Sequence, residues 1–162
     1  TIKEQKKKLA GVNVAWVGDG NNVCNSLIGG AAITGMNVFV ACPKGYEPDE
    51  GVVEKAKEMG CEVLIRNNAE EAATDADVLY TYVWVSMGEE EESEKRKRDL
   101  KNYQLNEDLV SVAKEDVIVM HCMPVHIGEE ITEDVINSIN SVIFEQPENR
   151  LHAQKALLLK LL

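Results

Sequence analysis

The sequence predicts a doubly wound α/β domain, with a mainly parallel sheet and helices on both of its faces, Rossmann-like but without a dinucleotide site. Short runs rich in Val, Ile, Tyr and Trp alternate with segments of helical pattern, glycines stand where helices should stop, and no repeat or low-complexity linker breaks the alternation. After a basic lead-in, Asn13 to Val17 reads as a buried strand, Gly18-Asp19-Gly20 as a tight turn, and Asn22 to Thr34 as an apolar helix that Gly35 ends. Asn37 to Cys42 is a second strand, Pro43 to Pro48 a loop, and Gly51 to Met59 a helix stopped by Gly60. The third strand is Cys61 to Ile65, Ala69 to Ala73 a short helix, and the fourth strand the β-branched and aromatic run from Asp77 to Val85. A polar stretch from Glu89 to Lys101 spaces Glu91/Lys95, Glu92/Arg96 and Glu94/Arg98 for helical ion pairs and reads as a solvated helix. Val117 to Met120 is a fifth strand, His121 to Gly128 a loop, Thr132 to Ile136 a helix, Ser141 to Phe144 a sixth strand, and the end is helical.

A chain of 162 residues suits one domain, residues 1–162, with a core of its own. The net charge of -11 would repel a phosphate backbone, and an aromatic share of 5% does not make a base-stacking surface, so neither nucleic acid nor an anionic membrane is an expected partner. Cys24, Cys42, Cys61 and Cys122 stand singly, without the spacing of a zinc site or the density of a disulfide scaffold, which fits a reducing cytoplasm. No apolar run approaches the roughly 20 residues that span a bilayer, and the Lys-rich start lacks a signal-peptide core.

Ligands of such a sheet gather at the carboxyl ends of the strands, which marks the loops beginning near Gly18, Cys42, Val85 and His121. The turn Gly18-Asp-Gly-Asn-Asn-Val23 has two glycines of a dinucleotide fingerprint. Val23 fills the third position, however, and the second strand ends in Cys42-Pro43 without an acidic residue, so no nucleotide cofactor is expected. What the turn offers is helix-start N–H groups and the Asn21 and Asn22 amides, suited to a carboxylate or simply to capping. Trp84-Val-Ser-Met-Gly88 places a hydroxyl and a thioether at a strand end, although Met87 would serve equally as core filling. In His121-Cys-Met-Pro124, Cys122 taken alone reads as a buried inert thiol. Arg150 opens the last helix, as a surface residue or as a bidentate clamp for an anion.

In order along the chain, Asp19-Gly-Asn-Asn22, Pro43-Lys-Gly-Tyr-Glu-Pro48, Trp84-Val-Ser-Met-Gly88, His121-Cys-Met-Pro124 and Glu148-Asn-Arg-Leu-His152 resemble the motifs of ornithine carbamoyltransferases. The resemblance implies two similar α/β domains, the first holding carbamoyl phosphate and the second, matched here, holding L-ornithine, with citrulline and phosphate as products and neither metal nor cofactor. It implies that Asn22 binds the ornithine α-carboxylate and that Ser86 and Met87 hold the amino-acid backbone. Cys122 would lie near the reacting amine, His121 with the backbone of Cys122 and Met123 would orient that centre, and Arg150 with Cys122 and Met123 would reach carbamoyl phosphate.

Two positions depart from the family pattern. Tyr82 stands where the family carries an Asp for the α-ammonium, and Ile127 where many relatives carry a basic residue. The Ser-Thr-Arg-Thr-Arg phosphate motif of the first domain is absent from the sequence. The expected partners are therefore L-ornithine or a similar amino acid and the missing carbamoyl-phosphate domain, and the chain alone is not expected to turn over. The alternative is a separated or engineered domain serving as a binding or self-association scaffold, with Tyr82 and Ile127 as apolar replacements. A nicotinamide-dependent oxidoreductase would rest on fold analogy alone. Finally, Leu151 to Leu162 carries more apolar residues than one helix stripe can hide. That surplus predicts a homodimer or higher oligomer built on this helix or on the cleft around Tyr82 and Ile127.

Overall fold

The apolar runs become five parallel strands: β1 (Asn13–Val17), β2 (Asn37–Ala41), β3 (Val63–Arg66), β4 (Val78–Thr81) and β5 (Ile118–His121). The structure is a computed structural model that describes residues 1–86, 88 and 90–162. The sheet order is β3-β2-β1-β4-β5, with Trp16 of β1 standing between Val40 and Tyr80. All four residues of β4 and of β5 are buried, which is why these runs are apolar almost without a break rather than alternating. At the opposite end of the sheet a polar ladder fixes the register. The Asn37 amide donates to Asn13 at 2.9 Å, the Asn13 backbone N–H donates to Asp77 at 2.8 Å, and Lys114 pairs with Asp77 at 2.7 Å.

Helices α1 (Ile2–Lys6), α2 (Asn22–Thr34), α3 (Glu50–Glu58), α4 (Ala69–Ala73), α5 (Ser93–Leu100), α6 (Glu107–Ser111), α7 (Glu133–Ile136) and α8 (Glu145–Leu161) connect and cover the strands. Helix α2 starts where the Asn21 side chain accepts from the Val23 and Cys24 N–H groups, and it stops at Gly35, whose φ of 75° suits a residue without a Cβ. From β1 the chain runs outward through β2 to β3 and then returns to lay β4 on the other side of β1. The loops leaving β1 and β4 therefore part at their carboxyl ends and leave a crevice between them.

Several expected boundaries shift. The fourth strand ends at Thr81 rather than Val85, because its neighbour β1 ends at Val17 and offers no further partner. Ser141 to Phe144 is not a sixth strand. Ser141 forms a single bridge with Val119, and α8 begins at Glu145. The last helix accordingly starts earlier than read, and Arg150 sits in its second turn instead of at its positive end. Two short helices, α1 and α6, lie in segments given no structure above; Ile2 buries itself on the core and Lys6 pairs with Asp116 at 2.9 Å.

Candidate functional site

The turn after β1 is shaped by close backbone approach. A Cβ on Gly20 would overlap the Glu47–Pro48 backbone, and the Gly20 N–H donates to the Tyr46 carbonyl at 2.8 Å. The glycine thus makes room for the protein's own Pro43–Pro48 loop, not for a pyrophosphate. Asn21 caps α2 with its oxygen, while its side-chain nitrogen is buried with no partner among the described residues. Asn22, the first residue of α2, is exposed and faces a cleft of about 570 Å³ that Ser86, Tyr46, Lys95 and Arg96 also line.

The polar segment is not merely solvated. A short 3-10 turn, Glu90–Glu92, leads into α5, which buries Arg96 and Leu100. Arg96 donates from Nε to the Trp84 carbonyl at 2.6 Å, pairs with Asp19, and lies with its guanidinium 5.1 Å from the centre of the Tyr46 ring. It ties together the loops that leave β1 and β4. Lys95, expected beside Glu91, pairs instead with Asp99 at 2.9 Å, and Lys97 pairs with Glu129 at 2.6 Å. Glu89 lies outside the described residues.

Beyond β4, the Thr81 hydroxyl donates to the Val17 carbonyl at 2.7 Å, so the two strands stay joined up to the crevice. Tyr82 and Ser86 then line a second cleft of about 810 Å³, whose far wall is Pro124, Val125, His126 and Ile127. Ser86 belongs to both clefts. Met87, expected beside it, lies outside the described residues. Ile127 is 58% exposed at the rim, and the half-buried Tyr82 ring lies 6.1 Å from the His121 ring.

At the end of β5, His121 is fully buried with both ring nitrogens engaged. Nδ1 accepts from the Met123 N–H at 3.0 Å, so Nε2 carries the hydrogen and donates to Glu130 at 3.0 Å. Glu130, also fully buried, accepts in addition from the His126 N–H at 2.7 Å. The pair holds the loop 122–130 in shape and bends Met123 to a φ of 53°, unusual for a residue with a side chain. Cys122 is half-buried, and burial raises its thiol pKa, opposed by the Tyr80 hydroxyl and by the charge of Arg150. Arg150 itself is exposed. Among the described residues, His126, Glu129 and Glu130 bring one ligand atom each within 4.8 Å of one another. Both acids already hold protein groups, Glu129 the Lys97 ammonium and Glu130 the His121 ring.

The structure thus brings Asn22, Tyr82, Ser86, His121, Cys122 and Met123 to one edge of the sheet, with the Arg150 charge acting on Cys122. Arg96, Glu130, Tyr80 and Gln146 were not anticipated. Only Arg96 left a trace in the sequence, its four-residue spacing to Leu100 within a charged run.

The family model for "Aspartate/ornithine carbamoyltransferase, Asp/Orn binding domain" matches residues 10–161. The chain belongs to this family. An ornithine carbamoyltransferase of Methanosarcina acetivorans is 59% identical over the whole chain, and one of Archaeoglobus fulgidus is 51% identical. Among solved ornithine carbamoyltransferases, that of Pyrococcus furiosus superposes with a TM-score of 0.90 at 50% identity, covering 97% of this chain and 51% of its own. That of Campylobacter jejuni gives 0.92 at 39% identity, covering 99% of this chain and 55% of its own. The chain spans about half the length of the curated relatives it matches, 54% of the M. acetivorans protein, and corresponds to the second, amino-acid-binding part of an ornithine carbamoyltransferase.

Proposed function

We propose that this chain is the ornithine-binding half of a carbamoyltransferase, that it works with a carbamoyl-phosphate-binding domain, and that it does not turn over without one. The observation that carries this reading is the convergence of Asn22, Ser86 and Tyr82 on two clefts joined at Ser86, above the switch point between β1 and β4. The Asn22 amide and the unpartnered Asn21 nitrogen suit a carboxylate. Ser86 stands between that end of an amino acid and the cleft in which its side chain would lie. In the complete site a neutral side-chain amine attacks the carbonyl carbon of carbamoyl phosphate. A C–N bond forms, the C–O bond to phosphate breaks, and the amine loses a proton. Catalysis then consists of positioning the amine and stabilising developing charge, with Cys122 beside the amine and Arg150 reaching the phosphate. His121, buried and doubly bonded, orients the Cys122–Met123 backbone rather than transferring protons to substrate.

Calorimetric titration with L-ornithine, with and without carbamoyl phosphate, tests the binding half, and a citrulline assay tests the rest. The expected result is binding without turnover; citrulline production by the pure chain would overturn the incomplete-site reading. A second role, self-association, is favoured by α8, of which no residue is buried.

A further inference from the structure

An ion pair ties together two elements that line the larger cleft. Lys97 comes from α5 and Glu129 from the loop 122–130, and the Lys97 ammonium meets Oε1 of Glu129 at 2.6 Å. The other carboxylate oxygen, Oε2, is closed off from water and has no hydrogen-bond partner among the described residues, with His126 Nδ1 3.9 Å away. We propose that Glu129 is a specificity-determining residue of this cleft, a carboxylate that Lys97 holds until the ammonium group of a bound amino acid takes it over. The proposal rests on the ornithine-binding reading, and it names a group able to meet the α-ammonium in a cleft where Tyr82 brings no carboxylate.

Three features fit Glu129 for that exchange. A carboxylate oxygen kept from water without a donor is costly, and an ammonium brings three N–H donors, enough to serve an oxygen that Lys97 leaves unserved. The backbone beneath Glu129 is fixed before any ligand arrives: the Gln104 amide donates to the Gly128 and Glu129 carbonyls at 3.0 and 2.7 Å, and the Gly128 N–H donates to the Ile131 carbonyl at 2.9 Å. Finally, the Glu129 side chain is 28% exposed, so its charge is less screened than that of Glu90, the other carboxylate among the described lining residues. Glu90 is exposed and turned back on the Gly88 N–H at 3.0 and 3.1 Å. Lys97, on a flexible stem and 40% exposed, can give up its partner and return its ammonium to water. The carboxylate therefore stays paired throughout, and a ligand without the ammonium leaves Lys97 in place.

The two partners of the pair should then act with opposite signs, which a merely structural ion pair would not produce. The test is calorimetric titration with L-ornithine and with 5-aminopentanoate, which lacks only the α-ammonium, on the unaltered chain and on folded variants. Glu129→Gln should weaken ornithine binding by about tenfold, and Lys97→Met, which frees the carboxylate, should tighten it by about fivefold. The double variant should bind no more tightly than Glu129→Gln alone, because without the carboxylate there is nothing to release. Binding of 5-aminopentanoate should respond to neither change. If no form binds ornithine, the ornithine reading falls and this proposal with it. Where ornithine does bind, a loss or no change in Lys97→Met overturns the exchange alone. So does tightening that persists in the double variant, which would make Lys97 a general repulsive charge, and so does an equal response of 5-aminopentanoate. Should Glu129→Gln fail to fold, the sign of Lys97→Met and the contrast between the two ligands decide.

Discussion

Tyr82 is the residue on which ligand affinity should turn. It lines the larger cleft, and on the proposed function, which puts the α-ammonium of ornithine there, an aromatic ring would leave that cation without its counter-ion at this position. Tyr82→Asp is expected to tighten L-ornithine binding by about tenfold, the order of one partly screened ion pair, as read by calorimetry on a variant whose melting is unchanged. Unchanged affinity in the folded variant would place the amino acid elsewhere. Cys122 is half-buried and packs against the core without belonging to it, so Cys122→Ser should shift stability by less than about 1 kcal/mol in urea unfolding. In a reassembled two-domain protein the same change should lower kcat. Severe unfolding would instead mark the thiol as a structural one.

At the scale of elements, the sheet and its helices were legible because their causes are local: β-branched runs, an Asn cap at 21, and glycines at helix ends. Contacts that depend on a distant partner were not. The helix Ser93–Leu100 read as solvated because its acids and bases pair well on paper, but tertiary contacts drew Arg96 down onto Trp84 and Asp19. Likewise the partnership of His121 with Glu130 spans a loop whose path no local pattern specifies. The turn after β1 joins the two kinds, and it can be tested by contrast. Gly20→Ala should cost about 2 kcal/mol, since its Cβ meets rigid backbone. Gly29→Ala, within α2 and facing open space, should gain about 0.5 to 1 kcal/mol from helix propensity. Urea midpoints of equal sign for the two would remove the close approach as the reason for Gly20.

For the whole molecule, the question is what covers α8. It is anchored at its start, where Gln146 bonds Tyr80 and the Asn149 amide donates to Glu4 at 2.7 Å, and beyond that Leu157, Leu158, Leu159, Leu161 and Leu162 face solvent. Studied alone, the chain is expected to form a dimer or larger oligomer through this face. Light scattering over a concentration series should show mass rising with concentration, and Leu158→Glu with Leu162→Glu should return it to a monomer. A monomer throughout, with no gain in solubility from these changes, would remove α8 as a contact. Strand pairing along β5 would not add to such association, because the segment that falls short of a sixth strand acts at that margin of the sheet. Val119 donates to the Asn140 carbonyl at 2.8 Å and Val142 donates to the Val119 carbonyl at 3.0 Å, a two-bond clasp that occupies the outer side of β5 and then turns away. A full strand there would itself have presented a new open row of N–H and C=O groups, whereas a clasp ends the ladder. The border of β5 beside the loop 122–130 thereby loses its central pairing groups to the clasp, and molecules crowding together through α8 find a poor template there on which to grow into fibrils.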